Sequence, residues 1–248
     1  MKKVFYPAAI VGLLGCGESG NLKDTSAKNV QADTASCRTT VKSERVLDDS
    51  ALTAAFVEMN DKSIAEKINR HIAAAYITGY SFEDLKEQKE KFKTDSIPFG
   101  LTDLSYEVNY NQDCLLSLTF NVGTCAAYPS YYSTYRNFDL NTGDSVALEK
   151  MLTTEGMAQL INYCDSVIQA RIDSVKHTKD CDDVVSEQLE GKRFTKEDLP
   201  NYFVTKEHVV FSFVFGFPHV LLAAEPDGII RVPRSQFRKY LKENPYKL

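Results

Sequence analysis

The side chains able to do chemistry in this 248-residue sequence are few, and their spacing excludes more than it offers. The four histidines are His71, His177, His208 and His219. No two sit at a metal-ligand spacing and none accompanies a C-x-x-C pair, so no metal site is expected. His219 follows Phe217-Pro218 in a loop and is the histidine with a functional reading; His71 lies beside an apolar stripe and reads as an ordinary helix residue. Asp139-Leu140-Asn141-Thr142-Gly143-Asp144 hints at a calcium loop. It fails, with Asp144 at the position that needs glycine and Lys150 at the position that needs glutamate. Gly15-Cys16-Gly17-Glu18-Ser19-Gly20 spells a dinucleotide fingerprint, but a polar run without helical periodicity follows it where a helix is required. There is no G-x-S-x-G elbow, no phosphate-binding loop and no H-E-x-x-H. The expectation is a protein without cofactor and without catalytic residues. Lys and Arg number 29 against 34 Asp and Glu, a net charge of −5, which excludes a nucleic-acid binder that works by neutralising phosphates.

Tyrosines mark the candidate ligand site. Tyr128, Pro129, Tyr131, Tyr132 and Tyr135 crowd a segment read as an aromatic loop running into a strand. Tyrosine gives large amphipathic contact area at low entropic cost, which suits a binding surface. Alternate strand tyrosines packed inward would explain the same residues equally well. Successive residues of a strand point to opposite faces, so Tyr131 and Tyr135 share one parity and Tyr128 and Tyr132 the other. One of these pairs is expected to face outward and, with Pro129, to form part of the ligand surface.

Six cysteines suit an oxidising compartment. With Cys16 assigned to another role, Cys37, Cys114, Cys125, Cys164 and Cys181 remain, an odd set that leaves at least one outside any internal bridge. Cys114 and Cys125 bracket one expected strand. At ~3.4 Å per residue that strand holds them roughly 35 Å apart, whereas a disulfide needs Cα atoms within ~7 Å. That pair is therefore not expected. Cys164 reaches Cys181 only if the intervening helix ends early and the chain folds back. The pairing is otherwise open.

Cys16 belongs to the chain's address. Lys2 and Lys3 precede the apolar run Val4 to Leu14, which is too short to span a bilayer as a helix and has the length of a signal-peptide core. The run ends in Leu13-Leu14-Gly15-Cys16, which resembles the lipobox of bacterial lipoproteins. What that resemblance implies is acylation of Cys16, and at ~0.8 kcal/mol per buried CH₂ more than one chain anchors stably. Residues 1–15 then read as a lipoprotein signal peptide and 16–37 as a flexible tether. Loss of Lys2 and Lys3 would make the mature chain more acidic still.

The elements that must carry the tyrosines follow from periodicity. Arg38 to Arg45 and Ala51 to Met59 read as strands. Asn60 or Asp61 caps a helix whose Ile64, Ile68, Ile72 and Tyr76 lie on one face, and Ser81 to Lys93 is a second, charged helix. Tyr106, Val108 and Tyr110 alternate with polar residues, as do Leu116, Leu118, Phe120 and Val122, and Asn111-Gln112-Asp113 between them is turn chemistry. Tyr131 to Leu140 makes a third strand ended by Asn141-Thr142-Gly143. A helix from Thr154 carries Met157, Leu160, Ile161, Cys164, Val167, Ile168, Ile172 and Val175. Strands at Tyr202 to Thr205, Val209 to Phe215 and Ile229 to Val232 follow, then a short helix from Pro233 to Leu241. Strand clusters separated by a helix give an α+β fold, an antiparallel sheet packed against helices.

Three segments, Leu115-Leu116-Ser117-Leu118-Thr119-Phe120, Cys125-Ala126-Ala127-Tyr128-Pro129 and Asn137-Phe138-Asp139-Leu140-Asn141-Thr142-Gly143, carry a family resemblance. So do Ala65 to Asn69, Ala224-Glu225-Pro226 and Val232 to Phe237. Over roughly residues 40 to 241 the chain resembles the extracellular domain of unknown function shared by the lysozyme-sensing anti-sigma factor RsiV and the peptidoglycan deacetylase PdaC. The resemblance implies a two-part α+β envelope domain: an N-terminal module over 38–100 and an RsiV-like domain over 101–248. The family loop reads Gly-Gly-Ala-His-Pro where this chain has Cys125, Ala126 and Tyr128 in place of the glycines and the histidine, so a role for that histidine does not carry over. Neither a sigma-binding segment nor a deacetylase domain accompanies it. The expected protein is a membrane-anchored envelope lipoprotein, periplasmic or surface facing, that binds a protein such as lysozyme or a cell-wall glycan without catalysis. The alternative is an accessory or catalytic domain of cell-wall polysaccharide hydrolysis or deacetylation.

Overall fold

The computed structural model describes residues 37–45, 52–75, 101–125, 128–178 and 183–248. Cys16, the expected tether as far as residue 36, Tyr76, the expected helix over 81–93 and Cys181 lie outside the described residues, whereas Cys37, the tether's expected last residue, is buried and described.

Thr39–Arg45 (β1) and Thr53–Met59 (β2) pair antiparallel, with Val41 opposite Val57 on the buried face. Lys62–Ala75 (α1) follows. Asp61 is its cap: Oδ1 accepts from the backbone N–H of Ser63 at 3.0 Å and of Ile64 at 3.2 Å. These bonds, that from Ile64 above all, hold its carboxyl below the usual carboxylate range. Ile68 and Ile72 are buried, as the stripe predicts. Asn69 ties the helix to β2 by imitating a strand partner. Its Nδ2 donates to the Val57 carbonyl at 2.9 Å and its Oδ1 accepts from the Val57 N–H at 2.8 Å.

Leu101–Gln112 (β3), Leu115–Cys125 (β4) and Pro129–Asp139 (β5) form an antiparallel meander in the order β3-β4-β5. The reversal between β3 and β4 is later than the sequence suggests. Asp113 and Cys114 have φ of 50° and 60° and make a two-residue turn of the kind that matches strand twist. Asn111 is a buried ladder residue whose Nδ2 donates to the Thr39 carbonyl at 3.1 Å, so its amide serves β1 rather than a turn.

That turn brings Cys114 to Cys37, and the two form a disulfide with a Cα–Cα distance of 5.2 Å. The absence of a Cys114–Cys125 bridge agrees with the strand between them. Cys164 sits in mid-helix as a buried thiol outside any bridge, which removes the Cys164–Cys181 alternative. Burial pushes its thiol up to about 12, so it is an inert core side chain.

Thr154–Lys176 (α2) begins where expected, capped by Thr153, whose Oγ1 accepts from the Gly156 N–H at 2.8 Å. Leu160, Cys164, Ile168 and Ile172 form its buried stripe. Asp183–Leu189 (α3) was not legible in the sequence. Tyr202–Val204 (β6), His208–Ser212 (β7) and Ile229–Pro233 (β8) make a third antiparallel sheet, and Arg234–Phe237 (α4) closes the chain's last elements. Asp165, nearly buried on α2, holds the chain that follows α3. It accepts from Arg193 Nε at 2.9 Å and from the Phe194 N–H at 3.0 Å.

Two cores result, one on each face of the β3–β5 sheet. Leu116, Leu118, Phe120 and Val122 pack with Val41, Val57 and the α1 stripe. Leu115 packs with α2 and the third sheet. Polar residues on that second face stitch the sheets together: Ser117 Oγ accepts from the Val204 N–H at 2.9 Å, and Asn137 Nδ2 donates to the Tyr202 carbonyl at 2.8 Å.

Candidate functional site

Strand β5 positions the tyrosines, and it starts earlier than the sequence suggests. Pro129 already pairs with Cys125, so Pro129 to Tyr132 are strand rather than loop. Pro129 is tolerated there because β5 is the sheet's edge strand, where a missing N–H need not break a ladder.

The expectation that one same-parity pair of tyrosines faces outward is not met. Tyr131 is 77% exposed and Tyr128 65% exposed, and these two belong to opposite parities. Tyr132 packs against the core that includes Phe120. Tyr135 stacks on Phe203 of β6 with ring centroids 5.2 Å apart. The reason is geometric. The third sheet covers the C-terminal half of β5 on one face and leaves Tyr131, on that same face, beyond its edge. Tyr128 lies before the strand begins and obeys no strand parity. Of the five site residues expected, Tyr128, Pro129 and Tyr131 are therefore at the surface, while Tyr132 packs on the core of the opposite face and Tyr135 lies against β6.

His219 joins this group. It is exposed, opens the short 3₁₀ turn His219–Ala224 and stacks on Tyr128, with centroids 5.1 Å apart and 21° between ring planes. The stack unites the tyrosine segment with a stretch about ninety residues later in the chain. That same turn presents Val220 and Leu222, 84% and 47% exposed, and Val214 just before it is 71% exposed. Sequence reasoning missed these aliphatics. The pattern His219-Val220-Leu221-Leu222 reads as core, and only its 3₁₀ geometry turns two of the three apolar chains outward.

At the foot of this surface a groove of about 370 Å³ runs between Tyr131, Ser133 and Tyr135 on β5 and Val214, Glu225 and Gly228 on the opposite wall. Glu225 Oε1 accepts from the Gly216 N–H at 3.1 Å, which spans the two ends of that wall. Among the described residues lining the groove, one carries a carboxylate and none is a histidine. A cleft over α1 holds Glu44 and Glu66 beside Arg70, and none of its described residues is a histidine. Among the described residues, no group of three or more His, Cys, Asp or Glu side chains is placed to hold a metal ion, and no helix is long and apolar enough to cross a membrane. What the tyrosine surface offers chemically is aromatic and aliphatic contact with a polar border.

No family model and no curated protein matches the chain. Solved structures do. A DUF3298 family protein from Pseudomonas aeruginosa PAO1 is similar at a TM-score of 0.54 and 13% identity, over 84% of this chain and 94% of that one. A member of the same family from Bacteroides fragilis has a TM-score of 0.46 and 14% identity, over 84% of this chain and 93% of that one. At such identity the likeness to the Pseudomonas protein is one of fold, and on that ground the chain has a DUF3298-type α+β fold.

Proposed function

We propose that the chain is a membrane-anchored envelope lipoprotein whose domain binds a protein ligand through the surface made by Tyr128, Tyr131, His219, Val214, Val220 and Leu222. One observation carries this reading. Among the described residues seven large apolar side chains are exposed, and five of them are linked: Tyr131 and Val214 line one groove, Tyr128 stacks on His219, and Val220 and Leu222 belong to the turn that His219 opens. Scattered exposed apolar residues need no explanation, but a cluster beside a groove marks an interaction site. Aliphatics interleaved with tyrosines fit the mixed surface of a protein better than the hydroxylated surface of a glycan.

Lysozyme is the first partner to test, because the domain resembles one carried by a lysozyme-sensing anti-sigma factor and because an acidic chain attracts a basic protein. The Cys37–Cys114 disulfide supports an oxidising compartment. The reading is of a binding domain rather than an enzyme. Acylation of Cys16 would hold it at the membrane. Cys16→Ser is expected to move the protein from the membrane fraction to the soluble one, and unchanged pelleting would contradict the anchor. Envelope extract passed over the immobilised domain is expected to yield a protein that the Tyr128→Ala/Tyr131→Ala variant retains poorly. Equal retention by both forms would move the site elsewhere.

A further inference from the structure

Strand β5 lies at the edge of its sheet, and the direction of its backbone groups alternates along the strand. Three bonds fix which residues point where. The Leu140 N–H donates to the Cys114 carbonyl at 2.8 Å, so even-numbered residues face β4. The Asn137 carbonyl accepts from the Val146 N–H at 2.8 Å, and the Asp139 N–H donates to the Asp144 carbonyl at 2.9 Å, so odd-numbered residues face away from it. The β4–β5 register runs from Leu115–Asp139 to Cys125–Pro129 without a shift, so the alternation holds throughout. Asp144 to Val146 already lie against the end of β5 as a short added strand, through the bridge between Phe138 and Ser145.

Before that segment the edge is open. Among the described residues nothing bonds the N–H groups of Tyr131, Ser133 and Tyr135 or the carbonyls of Pro129, Tyr131 and Ser133. Pro129 has no N–H to offer, and the Tyr135 carbonyl accepts from Arg136 Nη1 at 2.8 Å. This set is complementary to itself. A second copy turned about a two-fold axis at Tyr132 sets Tyr131 opposite the second copy's Ser133, and Pro129 opposite the second copy's Tyr135. In each Tyr131–Ser133 pair both N–H groups meet open carbonyls. In each Pro129–Tyr135 pair the tyrosine N–H meets the proline carbonyl. The one donor that Pro129 lacks would have gone to the one carbonyl that Arg136 already satisfies. No open donor or acceptor is left over.

The side chains agree with this pairing. Opposed residues share a face, so Tyr131 stands beside Ser133, a large side chain beside a small one. The run Pro-Ser-Tyr-Tyr-Ser-Thr-Tyr from Pro129 to Tyr135 carries no charge and meets itself without repulsion of like charges. Edge strands are ordinarily guarded by charge or proline. The third sheet's outer strand, β8, has Arg231 and Pro233 exposed, whereas β5 has only Pro129 at its start. We propose that a second copy of this chain pairs antiparallel with β5 about Tyr132. The pairing joins the two three-stranded sheets into one and sets Tyr131 of both copies on the same face. It rests on backbone groups and does not depend on the protein-ligand reading above.

Ser133 gives the test. It is exposed and its N–H points away from β4, so Ser133→Pro removes an edge donor without breaking the β4–β5 ladder. Ser133 Oγ donates to Asn121 Oδ1 at 2.7 Å, so Ser133→Ala, which loses that bond and keeps the N–H, is the reference. Sedimentation velocity on the full chain in mild detergent, from about 5 to 500 µM, is expected to show a reversible dimer for wild type and for Ser133→Ala, as suits a small interface. Ser133→Pro is expected to raise the dissociation constant about tenfold or more, at the melting temperature of Ser133→Ala. Ser133→Lys leaves the backbone as it is, puts a charge at the seam and is expected to raise the constant severalfold. A monomer at every concentration, a dimer that Ser133→Lys or a folded Ser133→Pro leaves unweakened, or a dimer that Ser133→Ala loses as fully as Ser133→Pro would each overturn the proposal.

Discussion

Cys37→Ser is expected to lower stability by about 4 kcal/mol, the cost of opening a cross-link that spans 77 residues. For a domain of this size the melting temperature should fall by roughly 10 °C. The bridge joins Cys37, two residues before β1, to the turn between β3 and β4, so it staples the first sheet to the second. Replacing Cys37 is cleaner than replacing Cys114, whose positive φ makes any substitution act on the turn as well. Reductant should shift wild type by the same amount and leave the variant unmoved. A variant that melts within about 2 °C of wild type would mean that packing and hydrogen bonds hold the first sheet without help from the bridge.

Gly156→Ala is expected to destabilise by about 3 kcal/mol or more, although alanine is the better helix former by ~1 kcal/mol. A Cβ at Gly156 would lie 2.2 Å from the Tyr240 carbonyl oxygen and 2.7 Å from Thr153 Oγ1. The first is backbone and cannot rotate away. The close approach exists because the start of α2 docks on the C-terminal segment: the Thr153 N–H donates to that same Tyr240 carbonyl at 3.0 Å, and the Lys242 N–H donates to the Met151 carbonyl at 2.9 Å. Calorimetry should show the fall in melting temperature. A rise would mean that α2 does not rest on Tyr240.

How far the sequence reveals this fold depends on where the information lies. Amphipathic spacing is local, so the Ile68–Ile72 stripe, the α2 face and the alternation of β4 were all readable before the structure. Turn position was not, because Asn111-Gln112-Asp113 has turn chemistry and Asn111 spends it on β1 instead. Cys37 and Cys114 could not be paired from sequence, since nothing local places the β3–β4 turn beside the start of β1. Among the tyrosines, strand parity alone could not say which rings the third sheet would cover. His219 was singled out as a candidate, yet its stacking on Tyr128 is a tertiary fact, and the exposed valines beside it carried no signal at all.

We propose that the surface around Tyr128 and Tyr131 binds a protein. Contact tyrosines of this kind each cost more than ~1 kcal/mol when truncated, and both are exposed enough to be removed without touching either core. The most direct measurement is a calorimetric titration of purified lysozyme into the domain and into Tyr128→Ala/Tyr131→Ala, at low and physiological salt. Wild type is expected to bind with a strength that weakens as salt rises, the double variant to lose about tenfold or more, and the melting curves of the two forms to coincide. Binding of equal strength by both forms, or no binding by wild type, would contradict it.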